Sequence, residues 1–308
     1  MLGAVYVEHK RVSVVEVGPR DGLQNEAHTV STQDKVAFVD RLADAGFRRI
    51  EVSSFVAPKW IPQLADAQEV FAGIHRRPGV EYSALIPNVR GMERALRCGI
   101  DAAHVFMSAS ETHNRKNVNK SIEETFSALR PVIDLAHTEH LPVRGYVSTA
   151  FGCPYEGRVP AEQVMDVVKR LVDLGVDEIS LGDTIGVAVP TQVTGLLAGL
   201  AKVLPISRIS LHLHDTRGTA MANVLAGLQA GVTCFDGSLG GLGGCPYAPG
   251  ASGNLATDDL LYFLTQMGYE TCVDEGKLAE TAAWFESVMQ KPLPSHARSI
   301  ARKASGSA

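Results

Sequence analysis

The sequence predicts an α/β fold, a (β/α)8 TIM barrel with an extra C-terminal helix. Two observations carry this prediction. Eight short runs of β-branched and apolar residues alternate with longer segments of helical periodicity. Glycines stand where a helix gives way to the next strand, at Gly46, Gly99, Gly175 and Gly231. An open doubly wound sheet is the alternative, but no Gly-x-Gly-x-x-Gly pattern follows the first predicted strand.

The predicted strands share an apolar character that is typical of a parallel sheet buried on both faces. In chain order they are Val12–Val17, Arg49–Ser53, Tyr82–Ile86, Ala103–Met107, Arg144–Thr149, Glu178–Leu181, Ile209–His214 and Cys234–Ser238. Polar caps and prolines mark the helix starts between them, including a capping box that begins at Ser121.

We expect a single domain. Its catalytic barrel covers residues 1–274, and residues 275–308 add a C-terminal helix and a mobile tail to the same domain. The helix is predicted over Glu275–Gln290. The tail prediction rests on Ser295–Ala308, where the residues are small, basic and polar.

Charge, cysteine spacing and the lengths of apolar runs exclude several classes of partner and site. The net charge is −5 and neither half is conspicuously basic, which argues against nucleic acid. The five cysteines are scattered without a Cys-x-x-Cys pair, which argues against a disulfide framework or a thiolate zinc site. The chain shows no signal-peptide pattern and no apolar run of about 18 residues. We therefore expect a cytoplasmic protein with no membrane partner.

Polar residues follow every predicted strand except the third, and active sites of this fold lie at those strand ends. His212 and His214 stand two apart on the seventh strand and therefore point to one face. A pair of hydrogen-bonded core histidines is the alternative. Asp21 after the first strand adds a carboxylate, and this donor set suits Mg²⁺, Mn²⁺ or Co²⁺, with catalytic zinc left open.

Two neighbouring features point to chemistry at the same end of the barrel. Arg20 places a cation beside Asp21, although a surface ion pair is the alternative. The glycine-rich segment 240–254 contains Cys245 and is interpreted as a lid that carries a reactive thiol. A flexible surface loop is the alternative for that segment.

Taken together, residues 10–292 resemble the 3-hydroxy-3-methylglutaryl-CoA lyase family, a group of metal-dependent lyases built on a barrel. The two most specific matches are VEVGPRDGLQNE at Val15–Glu26 and the glycine-rich segment 240–254. Further matches are SSFVAPKW at Ser53–Trp60, RGY at Arg144–Tyr146, SLGDTIG at Ser180–Gly186 and HLHDT at His212–Thr216.

The resemblance implies roles for individual residues. The implied ligands of a divalent cofactor metal, Mg²⁺ or Mn²⁺, are Asp21, His212, His214 and Asn254. The implied catalytic residues are Arg20, which would stabilise an enolate, Cys245 as an acid or base, and Asp21, His212 and Glu51; Glu16 and Asp183 would support the site.

The implied reaction is the retro-Claisen cleavage of (S)-3-hydroxy-3-methylglutaryl-CoA to acetyl-CoA and acetoacetate, as in leucine degradation. The expected partners are a small acyl-CoA substrate and a second copy of the chain, in a homodimer or other homo-oligomer. Residues 111–120 and Arg217 depart from the family pattern, so citramalyl-CoA or a longer-chain 3-hydroxyglutaryl-CoA stays open as substrate. A condensing synthase or aldolase of the same superfamily, and a metal-binding barrel without turnover, are further alternatives.

Overall fold

Eight parallel strands close a barrel in the computed structural model, which describes residues 11–243 and 253–305 of the 308-residue chain. The strands pair in chain order, and β8 closes the barrel against β1. The predicted fold class is therefore confirmed. The strands are β1 Ser13–Glu16, β2 Arg49–Ser54, β3 Glu81–Leu85, β4 Ala102–Ser108, β5 Val143–Ser148, β6 Glu178–Asp183, β7 Ile209–Leu213 and β8 Cys234–Gly237.

Helices alternate with the strands and surround the barrel. Local capping fixes several of their starts. Ser31 accepts a hydrogen bond from the Asp34 amide at 3.1 Å, and the predicted capping box of Ser121 and Glu124 is present. The described helices are α1 Thr32–Asp44, α2 Ala67–Gly73, α3 Val89–Arg97, α4 Glu111–Val118, α5 Ile122–Thr138, α6 Ala161–Asp173, α7 Pro190–Leu200, α8 Ala220–Gln229, α9 Thr257–Gln266, α10 Glu275–Met289 and α11 His296–Ser305.

The hydrophobic core joins the outer surface of the strands to the helices. Phe38 and Leu42 of α1 belong to the same buried cluster as Ile50 and Val52 of β2. The interior of the barrel is different, because it buries charged side chains such as Arg144. This division places ionisable groups inside the barrel, where they reach the carboxyl ends of the strands.

The C-terminus differs from the mobile tail that the composition predicts, because the described part of that segment forms α11. Arg298 donates to Glu286 at 2.6 Å, and Arg302 contacts the same carboxylate. The Asp259 carboxylate accepts from the amides of His296 and Ala297 at 2.9 and 2.8 Å. Arg298 and Arg302 are thus paired with an acid on α10, and an acid on α9 holds the start of α11 through its backbone amides. Among the described helices, none is both long and apolar enough to cross a membrane.

Candidate metal centre and active site

Three predicted ligands come together at the carboxyl end of the barrel. Asp21 lies in a π-helical turn, Gly18–Gly22, that directly follows β1. His212 lies on β7 and His214 directly follows that strand. One potential ligand atom from each of the three residues lies within 4.8 Å of the others, and His212 Nε2 is 3.7 Å from Asp21 Oδ2. The residues therefore form a candidate metal site of two nitrogens and one carboxylate.

The two histidines have different surroundings. Burial lowers the pKa of His212, but the hydrogen bond with Asp236 and the charge of Asp21 outweigh it, so the pKa is raised. Burial and the neighbouring His212 lower the pKa of His214 to about 4, which leaves His214 neutral at pH 7. Its Nδ1 is buried and has no hydrogen-bond partner within the described residues. A histidine with an unpartnered ring nitrogen, in a cluster with a second histidine and a carboxylate, fits a bound cation better than a satisfied core histidine.

Arg20 brings a permanent positive charge to the edge of this cluster. Its Nε donates to Glu51 Oε2 at 2.7 Å, and its Nη1 contacts Asp21 Oδ1. Burial by itself would raise the pKa of Asp21, but Arg20 and the two histidines hold it far below its ordinary value. The ion pair is buried on the Arg20 side, so the surface alternative is wrong. Among the described residues, these two bonds leave Nη2 of Arg20 for another acceptor.

Glu51 lies on β2 behind Arg20 and is completely buried. Its Oε1 pairs with His104 Nδ1 at 2.9 Å, and Tyr146 donates to Oε2 at 3.4 Å. Burial by itself would raise the pKa of Glu51, but Arg20 and His104 outweigh it and lower the pKa. Glu51 therefore orients the Arg20 guanidinium and balances its charge, and its catalytic role stays a prediction.

Asn254 reaches the cluster from the segment beyond β8. Its Nδ2 donates to Asp21 Oδ2 at 2.8 Å and to the Leu242 carbonyl at 3.1 Å. The backbone of Asn254 forms an isolated bridge with His214, which brings this segment to the end of β7. With the amide nitrogen engaged, Oδ1 is the atom that can serve as a ligand.

Glu16 and Asp183 lie outside the cluster and shape the loops around it. Glu16 accepts from the Gly18 and Leu239 amides at 2.8 and 2.9 Å and from Thr257 Oγ1 at 2.7 Å. Burial raises the pKa of Glu16 to about 8. Asp183, at the end of β6, accepts from two backbone amides at 2.9 and 3.0 Å in the turn that leads to α7.

The predicted lid thiol, Cys245, lies outside the described residues, so its role stays a prediction. The other cysteine near the barrel mouth, Cys153, is buried and shapes a turn. Its Sγ accepts from the amides of Tyr155 and Glu156, both at 3.4 Å, and lies 3.0 Å from Ser110 Oγ.

Asp236 and Arg144 are two site residues whose contacts the sequence reasoning missed. Asp236 on β8 pairs with His212 Nδ1 at 3.1 Å, and Arg144 on β5 donates to Asp236 at 2.6 Å. A charged residue within an otherwise apolar strand was the available signal. Arg144 belongs to the RGY motif, and Asp236 lies inside the eighth predicted strand.

The fold and the site define an α/β barrel with a candidate divalent-metal centre at the carboxyl end of its strands. The HMGL-like family model matches residues 11–284, which is most of the chain. The chain therefore belongs to the HMGL-like family.

Known proteins agree with this assignment. The chain is 55% identical to hydroxymethylglutaryl-CoA lyase YngG of Bacillus subtilis over 93% of this chain and 96% of that protein. A crystal structure of the Bacillus subtilis HMG-CoA lyase matches with a TM-score of 0.94 at 54% identity, covering 95% of this chain and 98% of that one. An Acinetobacter baumannii HMG-CoA lyase in complex with coenzyme A and 3-methylmalate matches with a TM-score of 0.89 at 38% identity, covering 93% and 94%.

Proposed function

We propose that this protein is a hydroxymethylglutaryl-CoA lyase, a carbon–carbon lyase that cleaves (S)-3-hydroxy-3-methylglutaryl-CoA to acetyl-CoA and acetoacetate. The observation that carries the proposal is the cluster of Asp21, His212 and His214 beside Arg20. The 55% sequence identity to a hydroxymethylglutaryl-CoA lyase, over 93% of this chain, supports the proposal. The coenzyme A bound by a relative supports an acyl-CoA as the substrate.

The proposed chemistry needs stabilisation of two developing negative charges, one on the C3 oxygen and one on the thioester enolate. Asp21, His212, His214 and Asn254 would hold Mg²⁺ or Mn²⁺, which when bound lowers the pKa of a substrate hydroxyl and orients the bond that breaks. Asp21 and His212 are the two candidate bases for the hydroxyl proton. Asp21 has further lone pairs when one oxygen is a ligand, whereas His212 could accept the proton only while its Nε2 is not a ligand.

Arg20 has the features that the second charge requires. Its guanidinium is held by Glu51 and Asp21, so it is already oriented before the substrate binds. Its Nη2, which neither of these contacts engages, would donate to the enolate oxygen as the C2–C3 bond breaks. Cys245 would then deliver a proton to the enolate carbon.

The deciding experiment is an acetyl-CoA release assay with Mg²⁺ or Mn²⁺ on a panel of substrates. The panel contains 3-hydroxy-3-methylglutaryl-CoA, citramalyl-CoA and a longer-chain 3-hydroxyglutaryl-CoA. We expect the first to give the highest kcat/KM and Arg20→Gln to reduce kcat by roughly 100- to 1000-fold. The matched control is Arg170→Gln, which removes an arginine whose partner is the exposed Glu123. A near-normal rate in Arg20→Gln contradicts the proposal.

Three finer properties belong to the same proposal. The cellular metal is Mg²⁺ or Mn²⁺, which elemental analysis of protein purified without chelators measures. The enzyme acts in the cytoplasm within leucine degradation, which growth of a deletion strain on leucine tests. The chain forms a homodimer, which light scattering of the eluting protein measures.

A further inference from the structure

Asp236 and His212 face each other across two neighbouring strands. They are register partners in the β7–β8 pairing, so their side chains project from the sheet at the same level. Asp236 is only 2% exposed, and its Oδ2 lies 3.1 Å from His212 Nδ1. The other ring nitrogen, Nε2, is the one that lies 3.7 Å from Asp21. Asp236 therefore contacts the ring from the side opposite the candidate metal position.

Arg144 holds the other oxygen of this carboxylate. It extends from β5 across the interior of the barrel, and its Nη2 donates to Asp236 Oδ1 at 2.6 Å and to Ser210 Oγ at 2.5 Å. Ser180 adds a longer contact to Oδ2, at 3.4 Å. A carboxylate paired with a guanidinium accepts hydrogen bonds and donates none, so the proton of the shared bond belongs to His212 Nδ1.

We propose that Asp236, held by Arg144, is a positioning residue that fixes His212 as the Nδ1–H tautomer and directs its Nε2 lone pair to the divalent cation. This inference rests on the metal site of the proposed function. A carboxylate that accepts from the outer nitrogen of a ligating histidine orients the ring and raises its basicity. His214 Nδ1 has no such partner within the described residues, so only the ring of His212 is oriented by a carboxylate.

The first test compares the affinity of the purified protein for Mn²⁺ in wild type and Asp236→Asn, with free Mn²⁺ measured by electron paramagnetic resonance. In Asp236→Asn, the new amide group is itself a donor, and it faces the N–H groups of His212 and Arg144. The His212 ring therefore loses the acceptor that favours its Nδ1–H tautomer. We expect Mn²⁺ to bind about 10- to 100-fold more weakly.

Glu178→Gln is the matched control. Glu178 pairs with Nε of the same Arg144 at 2.8 Å and with Arg49 at 2.9 Å, and none of its contacts in the described structure is to His212. Each variant removes a buried or partly buried carboxylate that pairs with Arg144, so both should unfold at a lower temperature than wild type. Only Asp236→Asn should weaken Mn²⁺ binding. Equal Mn²⁺ affinity in the two variants overturns the proposal.

The second test uses metal-free wild-type protein and does not depend on the folding of a variant. Histidine side-chain ¹⁵N spectra at pH 9 report which ring nitrogen carries the proton, and His212→Gln assigns the signal. We expect Nδ1–H for His212, and an Nε2–H signal overturns the proposal. Failure of the wild type to bind Mn²⁺ would instead contradict the proposed metal-dependent function, and the tautomer would still be decided by this spectrum.

Discussion

At the scale of single residues, the interior of the barrel is braced by two carboxylates, Glu51 and Asp236. Each pairs with one arginine and one histidine. Tyr146 lies between the two groups, donating to Glu51 at 3.4 Å and accepting from Arg144 at 3.3 Å. Removing one partner of a buried ion pair leaves the other charge uncompensated and lowers the free energy of unfolding by about 3–5 kcal/mol. The chemistry of the site and the stability of the barrel therefore depend on the same side chains.

Glu16 gives a prediction about the pH dependence of stability. Its pKa is about 8 in the folded protein and 4.5 as an ordinary glutamate, so the folded state binds more protons between these values. The free energy of unfolding should therefore fall as pH rises from 4.5 to 8, by up to about 1.4 kcal/mol per pH unit from this group, and level off above 8. Urea denaturation of the metal-free protein across this range measures it.

Glu16→Gln is the informative comparison, because glutamine mimics the protonated acid. Its oxygen keeps the two backbone donors, and its amide can donate to Thr257 Oγ1. The unfolding free energies of wild type and Glu16→Gln should therefore be similar near pH 5, and that of wild type should fall progressively below that of the variant as pH rises to 8. A difference that stays constant from pH 5 to pH 8 would show that Glu16 is already ionised in the folded protein.

A site residue could be predicted from the sequence when its relation to the other site residues depends on neighbouring positions in the chain. Arg20 and Asp21 are adjacent, and His212 and His214 share a face by strand alternation alone, so the pattern placed all four at the barrel mouth. Asp236 acts through a register pair with β7 and a bond from β5. Those relations exist only once the barrel closes, and no short stretch of sequence carries them.

At the scale of elements, the turn after β8 packs directly against the candidate metal site of Asp21, His212 and His214. Gly243 has φ +91°, and a Cβ atom there would lie 2.7 Å from Asn254 Nδ2 and 3.1 Å from the Asp21 carbonyl. Gly243→Ala should therefore displace Asn254 and weaken Mn²⁺ binding by at least about 10-fold, since a supporting shell typically contributes that much. Titration with Mn²⁺ measures the effect.

Gly268→Ala separates this contact from backbone strain. Gly268 also has a positive φ, +84°, but a Cβ there would meet no heavy atom within 4 Å. Both alanines should cost about 1–2 kcal/mol of stability for the left-handed conformation. If Gly268→Ala weakened Mn²⁺ binding as much as Gly243→Ala, the cause would be general destabilisation.

The C-terminal segment forms part of the same assembly. Ser295 donates its amide to the Gly240 carbonyl at 3.0 Å, and Asp258 accepts from the Gly240 amide at 2.9 Å. Leu293 is completely buried, with its side chain against the face of Gly240 that lacks a Cβ. Leu293→Ala should lower the free energy of unfolding by about 2–5 kcal/mol, measured by urea denaturation.

Ile300→Ala serves as the control within the same segment, because Ile300 is 69% exposed on α11. It should change stability by less than about 0.5 kcal/mol. Equal and small effects of both substitutions would show that the segment is not docked in solution. Composition suggested a tail here because the acids that pair with Arg298 and Arg302 lie on α10, outside the segment itself.

At the scale of the whole molecule, apolar and polar burial are separated. The apolar cluster lies between the strands and the surrounding helices, while the barrel interior buries the arginines, carboxylates and histidines described above. The outer core fixes the strands and thus the spacing of side chains within the barrel. The strand prediction from apolar runs succeeded because it read this outer face, and it carried little information about the polar interior.

Since the cluster joins elements from both ends of the chain, a bound cation should stabilise the entire barrel. Mn²⁺ at 100 times its Kd should raise the free energy of unfolding by about 2.7 kcal/mol, provided that it binds only the folded state. His214→Ala removes one candidate ligand and should abolish most of this gain. His75→Ala is the control, because His75 is a surface residue that pairs with Asp40. Thermal unfolding of the three proteins with and without Mn²⁺ measures the gain, and an undiminished rise in Tm for His214→Ala would place the cation elsewhere.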